Sequence, residues 1–163
     1  MKKMPRHCAF PGLTLLAIDV NVLVYAHRRE SPQHQEYANW LTAVAEGPAP
    51  FGLSDAVCAG FVRVVTHPAL WKPPSQIDAA LAFIEALRAR TNFRQLVPGA
   101  RNWPLFAEIC RRVKASGKLV ADAHHAALAI EHGCEWLTAD GDFSRFTGLR
   151  SRHPLAGPVE KGT

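Results

Sequence analysis

Residues 13–18, LTLLAI, are a continuous apolar run of strand length that ends on a carboxylate, Asp19. A run without polar–apolar alternation suits a strand buried on both faces, the setting of a central strand in a parallel sheet. An aspartate directly at the end of such a strand sits against the core. There an ion is costly unless it is hydrogen-bonded, paired or holding a cation. Capping the helix that follows is the alternative use for it.

The rest of the chain repeats the alternation. Residues 20–29 carry Val20, Leu23, Val24 and His27 at helical spacing. Ser31-Pro32 predicts a helix start, a capping serine with proline at the first position, for a helix running to Glu46 and stopped by Gly47-Pro48. Residues 51–53 read as a short strand, and Ser54 caps a helix over 55–66 with Val57, Phe61, Val64 and Val65 on one stripe. A proline-rich loop with Pro68, Pro73 and Pro74 follows. Ser75 is expected to cap a helix over 76–89. Residues 93–97 form the next strand. Residues 101–116 are helical, with Gly117 as a C-terminal cap. Residues 119–132 form a helix closed by Gly133, 135–138 a strand, and 140–146 a loop with a helical turn, and Leu149 opens a last short strand. Strands alternating with helices predict an α/β fold, a parallel sheet covered on both faces. In such sheets functional groups gather at the carboxyl ends of the strands.

A length of 163 residues suits one domain. We place it at residues 13–152, with a flexible N-terminal extension over 1–12 and a C-terminal tail over 153–163. The extension carries Lys2, Lys3 and Arg6 but no apolar stretch of secretory-signal length. No run approaches the ~18 apolar residues of a membrane span. Cys8, Cys58, Cys110 and Cys134 are widely spaced and form no CxxC pair or zinc pattern. Cys58 and Cys110 read as small core residues, and the pattern suits a reducing, cytoplasmic setting. A net charge of +5 favours polyanionic partners.

Against this basic background the chain has only six aspartates: 19, 55, 78, 122, 140 and 142. Asp19 ends the first strand, and Asp140 and Asp142 follow the strand that ends at Thr138. Asp122 falls in the first turn of a long helix, at the border of its apolar stripe. Carboxylates gathered at strand ends repel one another, and protonation or a cation must relieve that. Carboxylate oxygens are natural ligands of Mg²⁺ and Mn²⁺. Such ions activate water and stabilise charge on a transferring phosphate. A local acidic pocket in a basic protein therefore reads as a nuclease. Each acid also has a plainer reading: the helix dipole favours an aspartate where Asp122 stands, and Asp140-Gly141-Asp142 suits a turn. Asp55 and Asp78 read as helix-start residues.

The stretch LLAIDVNVLVYA resembles the first motif of PIN-domain nucleases. AGFVRVVTHP is similar to the second-motif helix of VapC-type toxins. LVADAHHAALAIEHGCEWLTADGDFSRFTGL resembles the third and fourth motifs. The four stand in order with matching spacing, over about residues 13–150. The resemblance implies a three-layer α/β/α PIN-like fold with a central parallel sheet. It implies a metal-dependent endoribonuclease, the toxin of a type II toxin–antitoxin pair, cleaving RNA with Mg²⁺ (Mn²⁺ as substitute), homodimeric and inhibited by a cognate VapB-type antitoxin. It makes Asp19, Asp122, Asp140 and Asp142 the catalytic acids, with Asp19, Asp122 and Asp140 as metal ligands and Asn21, Arg63 and Thr138 in support. One departure stands out: Gly60 occupies the position where many PIN domains carry a second-motif glutamate. This motivates an alternative, a catalytically weak or inactive RNA-binding or interaction module on the same fold. A receiver-like phosphate-accepting domain also uses strand-end aspartates, but the lysine it needs at a later strand end is missing.

Among other residues, Arg63 reads either as a contact to phosphate or to a neighbouring carboxylate, or as a surface or structural arginine. His125 and His132 share a helix face away from the apolar stripe, which predicts a solvated face. Of Trp40, Trp71, Trp103 and Trp136, Trp71 in the proline-rich loop is the expected exposed one. The others are expected in core or subunit packing. The pairs Arg28–Arg29, Arg111–Arg112 and Arg150–Arg152 suit a solvated face or an RNA-binding rim.

Overall fold

The computed structural model describes residues 12–157. The expected N-terminal extension, apart from Gly12, and residues 158–163 of the expected tail lie outside the described residues. Five parallel strands form one sheet: β1 (Leu16–Ile18), β2 (Phe51–Ser54), β3 (Phe93–Leu96), β4 (Glu135–Leu137) and β5 (Arg150–Arg152), in the order β3-β2-β1-β4-β5. In register, Leu16 lies between Phe51 and Glu135, and Ala17 between Gly52 and Trp136. Ala17, Ile18, Phe51, Leu53 and Leu137 are completely buried, as central strands covered on both faces should be. Only the end of the LTLLAI run pairs in the sheet. Leu13 is exposed, and its apolar character marks the run-in to the strand.

Six α-helices flank the sheet: α1 (Val20–His27), α2 (His34–Glu46), α3 (Asp55–Val65), α4 (Ile77–Arg88), α5 (Asn102–Val113) and α6 (Lys118–Glu131). Helix α1 packs on α2 and α3, α3 packs on α4, and α5 packs on α6. The chain steps from β1 to β2 to β3 in one direction, then crosses back beyond β1 to β4. Right-handed crossovers therefore place α1–α4 on one face and α5–α6 on the other, giving three layers. His27, Phe61 and Phe83 pack ring to ring beneath α1, α3 and α4.

Several expected caps move. Helix α2 starts at His34, after Gln33 in the left-handed region at φ 57°, rather than at Ser31-Pro32. Ser31 lies two residues before that N-cap, and its buried hydroxyl makes no capping bond. Helix α4 starts at Ile77, because the Ser75 hydroxyl is taken by His27 and Arg28. Helix α5 ends at Lys114 in the left-handed region at φ 51°, and Gly117 (φ 55°) precedes α6 instead of closing α5. The Ser54 cap holds as read, its Oγ accepting from Val57 N–H at 3.1 Å.

Candidate active site

From β1 the chain leaves toward β2 on one side and returns through β4 on the other, so β1 and β4 are neighbours at the point where the winding direction reverses. Such a switch point opens a crevice beyond the carboxyl ends of the two strands. Asp19 follows β1 directly, Thr138 follows β4, and Asp140 caps a short 3₁₀ turn over Gly141–Arg145. Helix α6 crosses the same end with Asp122.

Asp19 is 7% exposed and hydrogen-bonded at both oxygens, each of which keeps a further lone pair. Its Oδ1 accepts from Val20 N–H at 2.6 Å and its Oδ2 from the Thr138 hydroxyl at 2.7 Å, so it both caps α1 and binds across to β4. Thr138 Oγ1 also accepts from Asp140 N–H at 3.0 Å and from the Asn21 amide at 3.4 Å. The Asn21 carbonyl in turn accepts from Ala139 N–H at 3.2 Å. This network ties the end of β1 to the end of β4. Burial pushes the Asp19 carboxyl up to about 6; the two hydrogen bonds pull it down, and the negative charges of Asp122 and Asp140 push it further up. Burial likewise raises Asp122, with Asp140 and Asp142 adding to it and Lys118 and Arg145 opposing.

A cleft of about 790 Å³ is lined by Asp19, Asn21, Gly60, Arg63, Asp122 and Asp140, with Lys118, Trp71 and His124 on its walls. Five of the seven residues given site roles from the sequence, Asp19, Asn21, Arg63, Asp122 and Asp140, thus meet in one depression, and Thr138 is buried. Asp142 stands apart. It is exposed, is not part of the lining, and pairs with Arg145 at 3.7 Å. Asp122 is the fifth residue of α6, one position further in than expected and just past the first turn, so the helix-dipole reading loses force. Lys118, which sequence reasoning passed over, opens α6 and places Nζ 3.5 Å from Asp140 Oδ2. Its spacing four residues before Asp122 was the available signal.

Gly60 lines the cleft from α3, and a Cβ there would lie 3.1 Å from Val20 Cγ2. Arg63, one turn later, is exposed toward the same cleft. Among the described residues no group of three His, Cys, Asp or Glu side chains is arranged to hold an ion by itself. Mg²⁺, however, keeps several waters and takes only one or two carboxylates. Mutually repelling aspartates, one of them pushed up to about 6, are donors of the right hardness for such an ion.

Several side chains depart from expectation. Arg28, expected on a solvated face or an RNA-binding rim, is only 7% exposed, held by Ser75, Pro73 and Trp71. His125 turns inward: its ring stacks on Trp136 with centroids 5.4 Å apart, and its Nδ1 is buried without a partner among the described residues. Burial lowers it to about 4, so it is a neutral, half-buried ring at the edge of the cleft. Trp71 is only partly exposed, because Arg28 lies over it at 4.6 Å and its Nε1 donates to Val64 O. Trp103 is the exposed tryptophan, at 72%. Cys58 and Cys110 are half-buried against the core.

The PIN domain family model matches residues 16–149. Ribonuclease VapC43 of Mycobacterium tuberculosis is 44% identical over 143 residues, covering 88% of this chain and 97% of that protein. Ribonuclease VapC25 of the same organism is 36% identical over 140 residues, covering 86% and 99%. Among solved structures, VapBC2 from Rickettsia felis bound to a DNA fragment from their promoter has a TM-score of 0.63 at 17% identity, covering 85% of this chain and 98% of that one, a likeness of fold. The chain belongs to the PIN-domain family, among the VapC ribonucleases.

Proposed function

We propose that this protein is a metal-dependent endoribonuclease, the toxin of a toxin–antitoxin pair. The observation that carries the reading is the buried, hydrogen-bonded Asp19 facing Asp122 and Asp140 across one cleft of a basic chain. Asp19, Asp122 and Asp140 hold the ion, Mg²⁺ with Mn²⁺ as substitute. When bound, the ion supplies activation of water and charge stabilisation at the phosphodiester. Thr138 and Asn21 fix the direction of the Asp19 carboxylate, as outer-shell partners of ligating groups do. Arg63 contacts backbone phosphate from the α3 wall. Asp142 acts from outside the cleft, through its backbone N–H to Asp140 Oδ1 at 2.9 Å.

The relatives' ribonuclease names support RNA as substrate, and VapBC2 supports a VapB-type antitoxin as partner. A homodimer in the cytoplasm is the family expectation. Among the described residues no helix is long and apolar enough to cross a membrane. The inactive-module alternative rested on Gly60; the cleft retains three carboxylates without a side chain there. The test is cleavage of RNA with Mg²⁺ or Mn²⁺. Loss of cleavage in Asp19→Asn and Asp122→Asn is expected, and retained cleavage in both overturns the proposal.

A further inference from the structure

We propose that Lys118 is a tethered counter-cation of the carboxylate cleft, which gives way to a divalent ion and then serves the RNA phosphate. This rests on the metal-dependent reading above. Lys118 Nζ stands 3.5 Å from Asp140 Oδ2, and its charge also acts on Asp122 four residues along α6. Helix chemistry accounts for it only weakly, because its i,i+4 pairing with Asp122 runs in the less favourable direction, cation first. The first turn of a helix favours anions and disfavours a lysine, and α6 has no acidic residue in that turn to compensate. Fold stability does not account for it. The side chain is 79% exposed, and an ion pair that open contributes little. What remains is the local charge: Asp19, Asp122 and Asp140 crowd one cleft. Among the described residues, Lys118 is the cation that lines that cleft and pairs with one of those acids. Arg145 also acts on Asp122, but it pairs with the exposed Asp142.

A divalent ion seeks the same carboxylate oxygens and repels the ammonium, so occupancy by one weakens the other by the same factor. The lysine root is held by its place as the first residue of α6, directly after Gly117 at φ 55°. Its flexible four-carbon stem and compact charge let Nζ move while staying at the cleft. Displaced from Asp140, it would stay at the cleft it lines, free to pair with an anionic substrate.

The experiment compares wild type, Lys118→Gln and Lys118→Arg. Mn²⁺ is titrated into RNA-free protein by calorimetry, and a short single-stranded RNA is titrated with Ca²⁺ present by fluorescence anisotropy. Lys118→Gln is expected to bind Mn²⁺ about two- to fivefold more tightly, as removal of one exposed ion pair allows, and RNA several-fold more weakly. Lys118→Arg, which keeps the charge, stays near wild type. Mn²⁺ binding by wild type and Lys118→Gln with equal or weaker affinity in the variant overturns this inference and leaves the metal reading standing. Absence of Mn²⁺ binding in every protein overturns both.

Discussion

The Thr138 hydroxyl donates to Asp19 Oδ2 at 2.7 Å across the boundary between β1 and β4, 119 residues apart in the chain. It is the direct side-chain link between the first acid and the strand that carries Asp140. Thr138→Val keeps the shape and removes the donor. It leaves a buried carboxylate oxygen unpaired, at a cost of roughly 1–3 kcal/mol, and should lower cleavage by about 10–100-fold, as loss of an outer-shell partner does. Thr138→Ser should recover most of both. Urea denaturation alongside RNA cleavage reads the outcome; a valine variant with wild-type activity would remove Thr138 from the site.

Asp19 opposes stability in the metal-free protein. Its carboxyl is raised from 3.8 to about 6, so between those values the folded protein holds a proton that the unfolded chain has released. Stability therefore falls as pH rises from about 4 to about 6, leaving a penalty of roughly 3 kcal/mol at higher pH. Asp19→Asn imitates the protonated form. In EDTA at pH 7.5 it should melt above wild type, the two should converge near pH 4, and Mn²⁺ should stabilise the wild type alone. An asparagine variant that melts below wild type at pH 7.5 in EDTA would contradict the assignment of burial as the dominant cause.

The alternation of strand-length and helix-length patterns was legible because it rests on burial, and burial is written in the apolar residues themselves. Ala17, Ile18, Phe51 and Leu53 occupy the sheet where their runs suggested. Asp19 was legible because a carboxylate is conspicuous against such a strand. The misplaced features depend on tertiary partners. Ser31 and Ser75 look like helix caps until the turn at Gln33 delays the first helix and Arg28 claims the second hydroxyl. The inward turn of His125 is set by Trp136 on another element, which a helical wheel of α6 does not contain. Lys118 looks like an ordinary surface lysine until the fold carries Asp140 to it.

His125 sets an acid limit on stability. Its ring is lowered from 6.5 to about 4 by burial, with the neighbouring His124 adding to the effect. The unfolded chain takes up a proton as pH falls through 6.5, and the folded ring does not until about 4, so stability is lost across that window on acidification. His125→Phe preserves a ring against Trp136 and removes the proton. Its unfolding free energy should decline less than that of wild type between pH 6.5 and 4, by up to about 3 kcal/mol. Asp19 acts in the opposite direction over part of this range and is common to both proteins, so the difference between them isolates His125. Parallel pH profiles would show that the histidine is solvated.

Arg28 controls the wall of the cleft that the proline-rich loop provides. It is 7% exposed, donates to Ser75 Oγ at 2.8 Å and to Pro73 O at 2.9 Å, pairs with Glu30, and lies over the Trp71 ring. Trp71 lines the cleft, so the clamp links the end of α1 to the substrate side of the site. Lysine keeps the charge but has neither the planar face nor the fork. Arg28→Lys should therefore lose roughly 2 kcal/mol of stability through the missing stack and hydrogen bonds. With Asp19, Asp122 and Asp140 untouched, kcat should hold while KM for RNA rises several-fold. Steady-state cleavage at a temperature where the variant is fully folded separates the two constants. A fall in kcat at constant KM would mean that the clamp orients the carboxylates instead of the loop.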